Sequence, residues 1–121
     1  LALSIVAEIN GRIVGHAALS FMQSPEDSLA LAPVAVTPGM QGLGVGSAMI
    51  RECITRAWHE EAAILFVLGE PPYYARFGFN AADAVAFESP YSGEFWLALI
   101  RPGAAPQPGP AVHAKAFAGL A

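Results

Sequence analysis

A chain of 121 residues, 55% hydrophobic and only 13% charged, supports one domain with a buried core and excludes a disordered polypeptide. Its net charge of -4 and six Lys and Arg residues offer no cationic stripe to a phosphate backbone, so nucleic acid is not an expected ligand. No apolar run approaches the roughly 18 residues that span a bilayer, so no membrane partner is expected. The one cysteine, Cys53, cannot close an internal disulfide and points to a reducing compartment, the cytoplasm.

The chain opens on a hairpin. Leu1 to Ile9 and Arg12 to Met22 flank Asn10-Gly11, a turn pair that tolerates positive φ at both positions. A two-residue loop pairs Ile9 with Arg12, Ala7 with Val14 and Ile5 with His16. One face then carries Leu3, Ile5, Ala7, Val14 and Ala18, and the other Val6, Ile13, Ala17, Leu19 and Phe21. Both faces are apolar, so both need cover. Leu29 to Val36 is a strand interrupted by Pro33, which cannot donate a ladder hydrogen bond. A single long amphipathic helix runs from about Gly44 to Glu60, with Met49, Ile50, Cys53, Ile54 and Ala57 on its core side. One helix cannot cover two faces, so a layer is missing.

Ala62 to Leu68 reads as a buried strand that Gly69-Glu70-Pro71-Pro72 breaks. The proline pair starts a short helix through Arg76, and Gly78 ends it as a left-handed cap. Phe95 to Ile100 is a further strand, Arg101 to Pro110 a Pro/Gly-rich connection, and Ala111 to Ala121 a final strand and tail.

Between the third strand and the long helix lies Gln41-Gly42-Leu43-Gly44-Val45-Gly46. A glycine-spaced turn opening a helix aims backbone N–H groups in one direction and adds the positive end of the helix dipole, which suits phosphate. A triphosphate loop needs a Lys and a Ser/Thr after its last glycine, and Gly46-Ser47-Ala48 offers no Lys. The G-x-G-x-x-G spacing of a dinucleotide site fails as well, since Gly42, Gly44 and Gly46 have Ala48 and Met49 behind them rather than a further glycine. A diphosphate on another carrier remains.

This turn resembles the [QR]-x-x-G-x-[GA] signature of the GNAT superfamily of N-acetyltransferases. Leu31 to Pro38 resembles that family's strand-then-proline lead-in, and Tyr73-Tyr74-Ala75-Arg76-Phe77-Gly78-Phe79 resembles its second signature, F-Y-x-x-x-G-F. The second signature's wording is similar to that of a bacterial subgroup of predicted acetyltransferases. The resemblance covers roughly Ser4 to Ile100. It implies an α+β fold with a mixed, mostly antiparallel central sheet and flanking helices, splayed at the cofactor cleft where the third strand carries a bulge. It also accounts for the missing layer: the family's fold begins with a strand and two helices, about 40 residues that we expect to precede this single, N-terminally incomplete domain.

The implied activity is direct transfer of acetyl from acetyl-CoA, as co-substrate, to a primary amine of a small molecule or protein, with no acyl-enzyme. The family's pattern assigns the pantetheine arm and thioester carbonyl to the backbone of Val34, Ala35 and Val36. It assigns the diphosphate to the turn of Gln41, Gly42, Leu43, Gly44, Val45, Gly46 and Ser47, and protonation of the leaving sulfur to Tyr74. Tyr73 takes the family's aromatic packing position. The amine's base is the less determined part: Glu8, His16, Glu70 and His113 are candidates, with Glu70 favoured and a water chain as the substitute. His16, His59 and His113 share no ligand spacing with Cys53 or the carboxylates, so no metal is expected. The alternative is a CoA-binding GNAT-like sensor or partner-binding module without catalysis. Its mark would be loss of Tyr74 or a damaged turn, and both are intact. An uncovered apolar face would favour pairing of two copies as a homodimer.

Overall fold

In the computed structural model, residues 2–113 are described. In chain order they form β1 (Leu3–Ile9), β2 (Arg12–Ser24), β3 (Ser28–Val36), α1 (Val45–His59), β4 (Ile64–Leu68), α2 (Pro71–Ala75), β5 (Trp96–Ile100) and β6 (Val112–His113). Short 3-10 turns lie at Pro38–Met40 and Ala82–Ala84. The sheet runs β1-β2-β3-β4-β5, and β6 pairs with the far end of β2. Among the described residues only β3 and β4 are parallel, and every other pairing is antiparallel. The α+β class and the mixed, mostly antiparallel sheet are as expected from the resemblance. The expected tail beyond His113 lies outside the described residues.

The hairpin turn has Asn10 at φ 52° and Gly11 at φ 77°, the handedness that a two-residue loop needs. Ile9 pairs with Arg12 as expected, but the rest of the expected register is wrong. A bulge between Ala7 and Glu8 pairs Glu8 with Ile13, Ala7 with Gly15, Ile5 with Ala17 and Leu3 with Leu19. An inserted residue moves every later side chain to the other face. Leu3, Ile5 and Ala7 therefore share a face with Ala17 and Leu19, and His16 stands opposite Val6 rather than Ile5.

That face is covered by α1, whose Met49, Ile50, Cys53 and Ala57 are buried against Ala17, Leu19, Leu29, Leu31, Leu65 and Val67. Under β4 and β5 the opposite face is also closed. Its cover is an irregular segment, with Ala84, Phe87 and Ala111 packed on Phe66, Trp96 and Ala98. Trp96 stacks on Phe66 with centroids 4.8 Å apart, and its indole N–H donates to Phe87 O at 3.0 Å. Loop residues thus supply the second layer here, a role that sequence periodicity does not reveal. At the β1 end the second face stays open, and Val6 is 52% exposed. On the α1 side an open groove of about 580 Å³ runs between β1 and α1, lined by Leu3, Ile5, Ala7, Val45, Met49 and Glu52.

Candidate active site

The site grows from the C-terminal half of β3. Ser28, Leu29 and Ala30 pair with Ile64, Leu65 and Phe66, and there the β3–β4 ladder stops although both strands continue. The cause lies on the other side of β3. Between Ala17 and Leu19 of β2 the register shifts, with Val34 opposite Ala17 and Leu31 opposite Leu19, so Ala32 and Pro33 bulge. Pro33 has no N–H to give either neighbour. Beyond it, Val34, Ala35 and Val36 stay on β2 alone, and β4 diverges.

Backbone alternation decides which groups line the gap. Thr37 N–H donates to Val14 O at 2.8 Å and Ala35 pairs with His16, so the Ala35 N–H turns to β2. Val34 and Val36 then turn theirs towards the gap. The Val36 carbonyl accepts a hydrogen bond from Gln41 Nε2 at 3.2 Å. The signature glutamine therefore ties the glycine turn back to the strand end.

The three glycines of the turn serve two different needs. Gly42 (φ 80°) and Gly44 (φ 84°) adopt left-handed backbone, and a Cβ on either would meet nothing within 4 Å. Their requirement is conformational, and the space above them is open. Gly46 has ordinary backbone, but a Cβ there would come within 3.1 Å of the Tyr73 hydroxyl and 3.5 Å of Val36 Cγ2. It is small because the chain passes close. Gly44 caps α1 without any side-chain hydrogen bond, no acidic residue lies in the first turn, and the first intrahelical bond is Ala48 N–H to Gly44 O at 3.0 Å. The N–H groups of Val45, Gly46 and Ser47 are left to an external acceptor. Together with the dipole of a 15-residue helix they form an anion receptor.

The second signature faces this turn. Pro71 begins α2, Glu70 caps it exposed, and Gly78 (φ 100°) ends it with Phe79 N–H on Tyr74 O at 3.3 Å. Tyr73 and Tyr74 pack edge to face, centroids 5.1 Å apart. Their directions differ. Tyr73 carries its hydroxyl to Gly46, while the Tyr74 ring lies over Gly69 so closely that a Cβ there would overlap the ring edge. Burial, and secondarily Tyr73, push the Tyr74 phenol above its ordinary value of 10. Sequence reasoning gave Tyr73 only a packing role and did not foresee its hydroxyl at the helix start. It also missed Arg76, whose Nη2 donates to Ser47 Oγ at 3.1 Å. The available signal was an arginine between aromatic residues inside the second signature.

The remaining base candidates lie elsewhere. His16 is hydrogen-bonded to Ser4 Oγ at 2.7 Å on the face away from α1. Glu8 is exposed at the hairpin bulge. His113 packs edge-on to Tyr91 on β6, and burial lowers its pKa. Among the described residues no group of His, Cys, Asp or Glu could hold a metal ion, and no helix is long and apolar enough to cross a membrane.

The acetyltransferase (GNAT) family model matches residues 2–79. The chain belongs to the GNAT acetyltransferase family. Among GNAT relatives, an uncharacterized N-acetyltransferase of Escherichia coli K12, YjhQ, is 38% identical over 97 residues, covering 74% of this chain and 53% of that protein. The chain thus spans about half the length of this curated relative. A GNAT acetyltransferase from Brucella melitensis, solved with acetyl-CoA, superposes with a TM-score of 0.72 at 31% identity, over 94% of this chain and 67% of that one. Escherichia coli YhbS, solved with CoA, shares the fold with a TM-score of 0.81 at 22% identity, over 95% and 68% of the two chains.

Proposed function

We propose that this GNAT domain is an acetyl-CoA-dependent N-acetyltransferase that moves acetyl directly to a primary amine of a small molecule or protein. The observation that carries the reading is the continuity of β3 with the turn. An unpaired strand edge at Val34 and Val36 leads, through a turn that Gln41 ties back to Val36, to the uncapped N–H groups of Val45, Gly46 and Ser47. An amide-bearing arm ending in a diphosphate matches that sequence of donors: the strand edge takes the arm by β-augmentation and the helix start takes the phosphates. The Brucella relative solved with acetyl-CoA supports the same ligand. The free, buried Cys53 is compatible with a cytoplasmic setting.

In this reading the backbone of Val34, Val36 and the turn through Ser47 orients the thioester, with Gln41 holding the turn in register. Tyr74 donates to the departing sulfur. Its raised pKa keeps the phenol protonated at neutral pH, but full transfer to a thiolate of pKa about 8.5 is uphill, so hydrogen-bond donation during C–S cleavage is its main contribution. Glu70, exposed at the cap of α2, receives the amine's proton directly or through water.

The test is calorimetric titration of acetyl-CoA into the protein and into Gly44→Glu, followed by thiol release against a panel of amines. A carboxylate and a side chain at φ 84° should together weaken binding about 100-fold or more. If the unaltered protein does not bind acetyl-CoA, the reading fails.

A further inference from the structure

Beside the uncapped helix start stands a pair of arginines that form no ion pair among the described residues. Arg76 extends from the end of α2, donates to Ser47 Oγ, and lies over the rings of Tyr73 and Phe77, its Cζ 5.2 and 5.5 Å from their centroids. Arg51, one turn beyond Ser47 on α1, lies over the same Phe77 ring at 5.0 Å. Both are exposed. The ion pair found among the described residues is Arg56 with Glu52, which occupies the carboxylate next to Arg51. In a chain with net charge -4 and six basic residues, two guanidinium groups converge on one ring, and among the described residues neither is paired with a carboxylate. Aromatic faces hold them in place but do not cancel their charge.

We infer that Arg76 and Arg51, braced on Phe77, read a phosphomonoester: the 3′-phosphate on the ribose of CoA. This rests on the cofactor reading above. The backbone N–H groups of Val45, Gly46 and Ser47 supply the donors for a diphosphate, whereas a further phosphate lying along α1 meets no free backbone donor and needs side-chain cations. A monoester carries close to two charges, and planar guanidinium forks suit its oxygens. The arginines thereby discriminate CoA from its 3′-dephospho form.

Calorimetry of CoA and of 3′-dephospho-CoA separates the possibilities, using the unaltered protein, Arg76→Gln, Arg51→Gln and the double variant. The expected result is a preference for CoA of about tenfold or more in the unaltered protein, reduced in each single variant and close to one in the double. Affinity for the dephospho form should stay the same throughout. A preference that survives in the double variant overturns the assignment, as does equal weakening of both ligands, which would put the cations on the diphosphate. Binding of neither ligand by the unaltered protein would instead sink the cofactor reading itself. Unchanged melting temperatures of the variants confirm that they fold.

Discussion

One strand of this domain has two opposite environments. At its start, Ser28, Leu29 and Ala30 are buried and Ala30 and Leu29 are paired on both sides, to Ser20 and Phe21 of β2 and to Phe66 and Leu65 of β4. At its end, Val34, Ala35 and Val36 keep β2 and lose β4. The chemistry of the side chains hardly changes along the strand; the bulge at Ala32-Pro33 does. The difference teaches that the site is made by withholding backbone pairs, so the closed half should carry stability and the open half affinity.

The largest expected effect falls in the closed half. Phe66 is fully buried between Trp96, stacked at 4.8 Å, and Phe87, edge-on at 5.5 Å. Phe66→Ala should cost about 3–5 kcal/mol in urea unfolding. Where the variant is still folded, its acetyl-CoA affinity should be close to that of the parent. A large loss of affinity in folded Phe66→Ala protein would mean that the two halves are not separable.

Cys53, on the core side of α1, sets an alkaline limit for the closed core. Burial, and next the Glu52 charge, raise its thiol from 9.0 to about 11. With the folded pKa the higher one, both states hold the proton below pH 9 and the unfolded state alone releases it between about 9 and 11. Stability should fall across that window, by at most about 3 kcal/mol, and the thiol's contribution should level off above it. Subtracting the same series on Cys53→Ala isolates the thiol from the tyrosines, whose ionisation also begins near pH 10. Parallel curves for the two proteins would show that the thiol is not held neutral.

These halves were not equally legible in the sequence. The order of elements, the α1 core stripe and the glycine turn could all be read, because positive φ at Gly42 and Gly44 and the proline break before α2 are local requirements that residue type records directly. The hairpin faces could not be read, since a bulge at Ala7 and Glu8 leaves no mark in an apolar run. Nor could the cover of β4 and β5, where Ala84 and Phe87 act through an irregular segment without periodicity. At the candidate site, the backbone positions followed from the pattern, but side-chain directions did not. Tyr73 reaching Gly46, and Arg76 reaching Ser47 across 29 residues of sequence, depend on how α2 settles against α1.

In the open half the strongest single lever is Gly69. Its Cβ-less surface admits the Tyr74 ring, and an added Cβ would overlap the ring edge and sit 2.8 Å from Cδ2. Gly69→Ala should displace the phenol and reduce turnover about 10- to 100-fold, with acetyl-CoA affinity retained. In a Tyr74→Phe background the same substitution should add little, because the hydroxyl it misplaces is already gone. Full additivity would separate Gly69 from Tyr74 and leave the glycine with a purely structural role.

The smallest effect tests whether the open half is held ready before ligand arrives. Gln41 Nε2 bonds Val36 O at 3.2 Å, an exposed contact that joins the strand edge to the turn. Removing it in Gln41→Ala costs about one neutral hydrogen bond, roughly 1 kcal/mol, or about fivefold in acetyl-CoA affinity. Unfolding stability should barely move, because neither end of the tether is in the core. The loss should appear mainly as faster ligand release, since a turn free to wander presents the N–H groups of Val45 to Ser47 less steadily while charge steering is unaltered. A change in association rate instead would mean that Gln41 acts on the approach of the phosphates rather than on the geometry that retains them.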